Sequence, residues 1–193
     1  MKIALLASAL LLGSGGIVAA TLYDAPTAQS AQKTQPDVIY VPTPPQVVEA
    51  MLDVAGLKDG DILYDLGSGD GRIPIAAARR AKVRATGIDI DPERIAEANA
   101  NAQAAGVTDE VTFKQADLFA TDFSDATVVT LYLLPSLNEK LRPRLLAELK
   151  PGTRIVSHAF TMGDWKPEQE LEIDGRRIYF WTVPAKATAK PAP

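Results

Sequence analysis

The sequence predicts an α/β domain with a doubly wound, mostly parallel sheet that ends in an antiparallel C-terminal hairpin. Three observations carry that expectation. From Asp61 onward, short β-branched runs alternate with helix-like stretches, the rhythm of parallel strands joined by right-handed crossovers. A glycine-rich turn, Gly67-Ser68-Gly69-Asp70-Gly71, follows the first run directly, and a second run ends on the acids of Gly87-Ile88-Asp89-Ile90-Asp91. The last run, Glu170 to Pro184, is divided by Asp174-Gly175, a tight-hairpin dipeptide.

The elements follow in order. Thr43 suits a helix N-cap, with Pro44 at the first helical position and Gln46 three residues after Thr43. Val47, Val48, Met51, Leu52 and Ala55 then form an apolar helical face that Gly56 can close. DILYDL, Asp61 to Leu66, reads as a buried strand. After the glycine-rich turn, an Ala-rich helix runs to Arg80, and Pro74 is tolerated in its first turn because amides there lack intrahelical partners.

Val83 to Ile90 is the second strand. Asp91-Pro92-Glu93 caps a helix that runs to Ala105 and stops at Gly106. Glu110 to Gln115 and Ala126 to Leu131 are the third and fourth strands. Ser136-Leu137-Asn138-Glu139 has the pattern of a capping box, and Pro143 is expected to divide the following segment into two short helices. Thr153 to Ser157 is the fifth strand, and the hairpin brings the sheet to seven.

Composition bounds the function. The chain has 193 residues, enough for one substantial core, and 47% are apolar against 23% charged. A net charge of −4 gives no strong nucleic-acid signal. Cysteine is absent, which excludes disulfides, thiolate nucleophiles and Cys-ligated zinc, and no metal-ligand cluster stands out.

The N-terminus reads separately. Lys2 precedes an uncharged apolar run over residues 3–20, the pattern of a signal peptide or membrane anchor covering residues 1–20. Positive charge before the run and Asp24 after it orient the remainder outward, so export to the periplasm or membrane anchoring is expected, with a cytoplasmic location as the alternative. Residues 21–37 read as a flexible linker, 38–184 as the folded domain and 185–193 as a disordered tail.

The chemistry concentrates at the strand tips. In YDLGSGDGR, Tyr64 to Arg72, glycines let a ligand approach the backbone without meeting a Cβ atom. The dinucleotide fingerprint G-x-G-x-x-G does not fit, since Arg72 stands where its third glycine belongs. Asp65 and Asp70 beside the turn disfavour a pyrophosphate and favour a cation. Asp89 at the second strand's tip suits the hydroxyls of a ribose. In QADLF, Asp117 can accept from an adenine amino group or simply cap its loop. Tyr132 can pack as an ordinary aromatic. His158, the single histidine, reads as a structural hydrogen-bonder, and Trp165 and Trp181 as core or substrate-face aromatics.

Taken in order, DLGSGDG, GIDID and QADLF resemble the class I S-adenosylmethionine-dependent methyltransferases, which implies a Rossmann-like fold with S-adenosyl-L-methionine as cofactor. The resemblance implies that Asp65 and the turn Gly67, Ser68, Gly69, Asp70 and Gly71 hold the methionine part. It further implies that Asp89 and Ile90 hold the ribose, and that Asp117 and Leu118 border the adenine. VPTP (Val41 to Pro44), LYLLP (Leu131 to Pro135), LRPRLLAELKPGTRIVSH and GDWKP resemble the small protein-lysine methyltransferases of archaea and the mitochondrial enzyme acting on the ATP synthase c subunit. That branch implies a protein-lysine substrate and a cofactor cover formed by Tyr40, Val41 and Thr43. The Asn/Asp-Pro-Pro-aromatic motif of many amino-methylating relatives is replaced by Tyr132-Leu133-Leu134-Pro135, which makes the Tyr132 hydroxyl and the Leu133 carbonyl the candidate catalytic groups. Methylation of a small molecule or RNA, and cofactor binding without catalysis, remain the alternatives.

Overall fold

A computed structural model describes residues 40–185. The expected signal or anchor segment and linker lie outside the described residues, as does the tail from residue 186 onward. Among the described residues, no helix is long and apolar enough to cross a membrane.

The first helix, α1 (Pro45–Val54), leads into β1 (Ile62–Leu66), α2 (Arg72–Arg80), β2 (Arg84–Asp89), α3 (Pro92–Ala105) and β3 (Val111–Gln115). After β4 (Val128–Leu131) come α4 (Pro135–Glu148), β5 (Arg154–His158), β6 (Gln169–Ile173) and β7 (Arg176–Thr182). The seven strands lie in the order β3-β2-β1-β4-β5-β7-β6. The first five are parallel, and β7 pairs antiparallel with both β5 and β6. At the hairpin, Asp174 (φ 50°) and Gly175 (φ 72°) both occupy the left-handed region that a twisted two-residue turn requires.

The strand order reverses between β1 and β4, and in an open α/β sheet the crevice at such a point is where ligands bind. Two apolar clusters cover the sheet. One joins Val47, Met51 and Leu52 of α1 to Ala77 of α2, Ala98 of α3 and Leu63 of β1. The other joins Leu141 and Leu145 of α4 to Leu66, Leu131 and Trp181.

Three local expectations are corrected. Thr43 does not cap α1: the cap position is Pro44, with Pro45 at the start of the helix, and Thr43 turns its hydroxyl to His158 instead. The Ser136 capping box does not form, because α4 already begins at Pro135, with Leu134 as its cap residue and without a side-chain capping bond. Asn138 is instead fully buried and donates to Ser157 Oγ at 3.2 Å and to the carbonyls of Phe160 at 3.3 Å and Thr161 at 3.2 Å. Finally, Pro143 does not split α4, which is continuous. Proline removes one ladder bond, but Leu141 and Leu145 on either side are both buried in the same cluster, and this packing holds the two halves in line.

Candidate active site

Asp65 sits near the end of β1, directly opposite Thr130 of β4. Thr130 Oγ1 donates to Asp65 Oδ1 at 2.7 Å, and both side chains are buried. Burial pushes the Asp65 carboxyl up to about 7; the Thr130 bond opposes this, while the charges of Asp89 and Asp70 add to it. A carboxyl in that condition gains if a cation arrives beside it.

The glycine-rich turn then wraps over the tip of β2. Gly67 and Ser68 both donate their backbone N–H to the Ile88 carbonyl, at 2.8 and 3.0 Å. Gly69 donates to Asp89 Oδ2 at 2.8 Å, and Asp91 N–H donates to Asp89 Oδ1 at 3.0 Å. Each Asp89 oxygen is thereby oriented by one amide and retains acceptor capacity for a ligand hydroxyl. Glycine is required at Gly69 on two counts: its φ is 52°, and a Cβ there would stand 2.3 Å from the Tyr40 ring.

Asp70 contributes differently from the expectation that it adds to a cation-favouring pair. Arg72 Nη2 donates to Asp70 Oδ2 at 2.5 Å, and Arg72 Nη1 donates to the Thr43 carbonyl at 2.7 Å. Burial alone would raise the Asp70 carboxyl, but the Arg72 hydrogen bonds and charge outweigh it and hold it below the usual range. Asp65 and Asp89 are thus left as the acids that offer charge to a ligand at the turn.

A strap formed by residues 40–43 crosses this floor. The Tyr40 ring lies against Gly69 and beneath the Arg94 guanidinium, 5.0 Å from ring centroid to Cζ. On the far side, Asp117 accepts from the Phe119 N–H at 2.8 Å, so one carboxylate oxygen does cap its own loop. Tyr132 packs its ring against His158 at 3.9 Å between centroids and near Phe160 at 6.3 Å. The Leu133 side chain is buried against Gly67, whose Cβ would fall 2.7 Å from Leu133 Cδ2.

One cavity gathers these groups. It is lined by Tyr40, Val41, Thr43, Asp65, Gly67, Ser68, Asp70, Asp89, Ile90, Asp117, Leu118, Tyr132 and Leu133. Gly69 and Gly71 do not line it; they make room for the Tyr40 ring, which does, and for the Phe113 ring. Sequence reasoning missed Arg72, Arg94, Phe119 and Leu137, which also line it. Arg72 carried a legible signal, a cation in place of the third fingerprint glycine. The other three lie in ordinary helical or loop contexts. Trp181 is fully buried in the core, donating from Nε1 to the Trp165 carbonyl at 2.9 Å; Trp165 is half-buried against that core, and neither indole lines the cavity.

Known proteins agree with this geometry. The model of the ANTKMT methyltransferase domain matches residues 65–169, more than half of the chain. A protein-lysine N-methyltransferase of Saccharolobus islandicus (strain REY15A) is 49% identical over 153 residues, covering 77% of this chain and 95% of that protein. The adenine nucleotide translocase lysine N-methyltransferase of Mus musculus is 35% identical over 146 residues, covering 76% of this chain and 63% of that one. A crystal structure of an RNA methyltransferase from Salinibacter ruber with S-adenosyl-L-homocysteine superposes with a TM-score of 0.75 at 52% identity, covering 79% of this chain and 100% of that one.

The residues present fit S-adenosylmethionine. A raised buried carboxyl suits its cationic end, and a doubly oriented Asp89 suits its ribose. Ser68 lines the cavity, and its buried Oγ has no hydrogen-bond partner among the described residues. Fold, cavity chemistry and sequence kinship converge, and the chain belongs to the S-adenosylmethionine-dependent methyltransferases of the ANTKMT methyltransferase-domain family.

Proposed function

We propose that this enzyme transfers the methyl group of S-adenosylmethionine to the side-chain nitrogen of a protein lysine. The observation that carries this is the 49% identity, across nearly the whole of that protein, to a relative named for lysine methylation. The cavity chemistry supports it. Leu133, Leu137 and Phe119 give the wall beside Tyr132 an apolar character, which lowers the pKa of an entering ammonium from its ordinary value of about 10.4 and so favours the neutral, nucleophilic amine. Methyl transfer then needs alignment more than acid–base chemistry, and alignment can supply roughly 7–11 kcal/mol of the barrier.

In this reading Asp65 and the Gly67–Gly71 turn hold the methionine part, with Ser68 Oγ as an added partner. Asp89 and Ile90 hold the ribose, Asp117 and Leu118 border the adenine, and Tyr40, Val41 and Thr43 cover the cofactor. The Tyr132 hydroxyl and Leu133 carbonyl receive the amine's hydrogens. The cofactor carries the reactive methyl group; the protein binds, orients and excludes water.

RNA is the second reading, favoured by the name of the Salinibacter ruber structure. Incubation of a lysate with tritiated S-adenosylmethionine and the purified protein separates the two. Label that survives ribonuclease, disappears with protease and maps to methyllysine by mass spectrometry supports the lysine assignment. Ribonuclease-sensitive label overturns it in favour of RNA, and cofactor binding without transfer overturns catalysis altogether.

The N-terminal pattern supports a companion proposal, that residues 1–20 export or anchor the domain. Residues 1–36 fused to a reporter active only outside the cytoplasm should give signal; signal solely from a cytoplasm-specific reporter would reject it.

A further inference from the structure

We propose that His158 is a positioning residue that ties the strap over the cofactor to the aromatic wall facing the methyl acceptor. The proposal rests on the acceptor-side assignment of Tyr132 above.

His158 is 1% exposed at the end of β5 and does not line the cavity. It touches two residues that do. Its Nδ1 shares a hydrogen bond of 3.1 Å with Thr43 Oγ1 in the strap, and its ring packs on that of Tyr132, 3.9 Å between centroids and tilted by 37°. Thr43 is therefore held from two sides. Arg72, from the start of α2 beside the cofactor floor, grips its carbonyl, and His158, from the opposite side of the sheet's switch point, holds its hydroxyl.

The segment presenting His158 is itself tightly set. Ala159 adopts φ 67°, rare for a residue with a Cβ, and Ser157 Oγ donates to the Phe160 carbonyl at 2.7 Å. Asn138, fully buried, clamps the same loop through Ser157, Phe160 and Thr161. Such an arrangement fixes a ring in place without asking it to exchange protons. Burial, with the nearby Arg176 charge, also pushes the imidazole down to about 4, so it stands neutral and serves as a hydrogen-bond partner and a stacking surface. Strap and acceptor wall are thereby referenced to one side chain, and cofactor and acceptor are aligned against each other through it.

Two substitutions split these contacts. His158→Phe keeps a ring against Tyr132 but loses the bond to Thr43, whereas His158→Gln keeps a hydrogen-bonding group but loses the ring. The first is expected to lose chiefly cofactor affinity and the second chiefly turnover at saturating cofactor, each by roughly fivefold, the factor that one net hydrogen bond or ring contact is worth. Thr43→Val, on the strap side of the bond, should weaken cofactor binding to the same degree as His158→Phe, and combining the two should add less than twofold, because both break one interaction. Equal loss of affinity and turnover in the Phe and Gln variants, or full additivity of Thr43→Val with His158→Phe, overturns the proposal. Should Tyr132→Phe leave turnover unchanged, the acceptor assignment fails, whereas the Thr43–His158 cycle in cofactor affinity still reports on the strap.

Discussion

Asp89 Oδ2 accepts the backbone N–H of Gly69 at 2.8 Å, so the tip of β2 and the glycine-rich turn form one hydrogen-bonded unit. The acid proposed to meet the ribose thus also shapes the loop proposed to meet the methionine part. On that assignment, its substitution should disturb both halves of the cofactor site.

Asp89→Ala should weaken cofactor binding at least tenfold in a protein that still folds. A charge-assisted hydrogen bond is worth roughly 1.5–3 kcal/mol, and tenfold corresponds to about 1.4. Asp89→Asn, which keeps one acceptor oxygen, should lose less. Titration calorimetry giving wild-type affinity for a folded Asp89→Ala protein would reject the assignment.

Asp65 predicts a pH dependence. Burial raises its carboxyl from 3.8 to about 7. Between those values the folded state keeps a proton that the unfolded chain has released, so this group's contribution to stability falls as pH climbs towards about 7. A cationic ligand favours the ionised form, so cofactor binding should release a proton near neutrality and tighten by up to about tenfold from about pH 6 to about pH 8. Calorimetry in buffers of different ionisation enthalpy measures the released proton, and Asp65→Asn should abolish both effects. Identical heats in every buffer at neutral pH would count against Asp65 as the cation's partner.

Tyr132→Phe tests the acceptor side. The ring and its packing on His158 are retained while the hydroxyl is lost, so turnover should fall by roughly tenfold with cofactor affinity nearly unchanged. Steady-state kinetics with saturating cofactor decides it. Wild-type turnover would leave Tyr132 as a packing aromatic.

Away from the site, Arg154 binds the buried Asp61 and donates from Nη1 to the carbonyls of Ala55 at 2.7 Å and Gly56 at 2.8 Å. It thereby ties β5 to the end of α1. Arg154→Met leaves a buried carboxylate without its cation and should cost about 3 kcal/mol. Arg177→Met, which breaks the exposed pair with Glu170, should hardly move the denaturation midpoint. Urea unfolding of both variants makes the comparison, and equal midpoints would contradict it.

The alternation of strands and helices, the glycine-rich turn, the Asp91 cap and the hairpin were legible in the chain because each depends on neighbours in sequence. A strand entering Gly67 to Gly71, or Asp174-Gly175 between two β-branched runs, carries its own conformational instructions in φ preferences and apolar spacing. The acids at the strand tips were legible for the same reason, since a parallel sheet delivers every strand's C-terminal end to one edge.

Tertiary structure alone decided how side chains were shared out. Thr43 has the local makings of a helix cap, yet its hydroxyl goes to His158; Asn138 looks like part of a capping box, yet it is buried as a clamp on the β5 exit. Arg72 pairs with Asp70 and grips the Thr43 carbonyl, so one of two similar carboxylates is neutralised while Asp65 beside it is left raised. Pro143 does not break α4 because the core holds Leu141 and Leu145 on both sides of it. Local propensities differ by a kcal/mol or so, whereas burying a polar group or a large apolar side chain involves about two or more, so burial chooses the partner wherever the two compete.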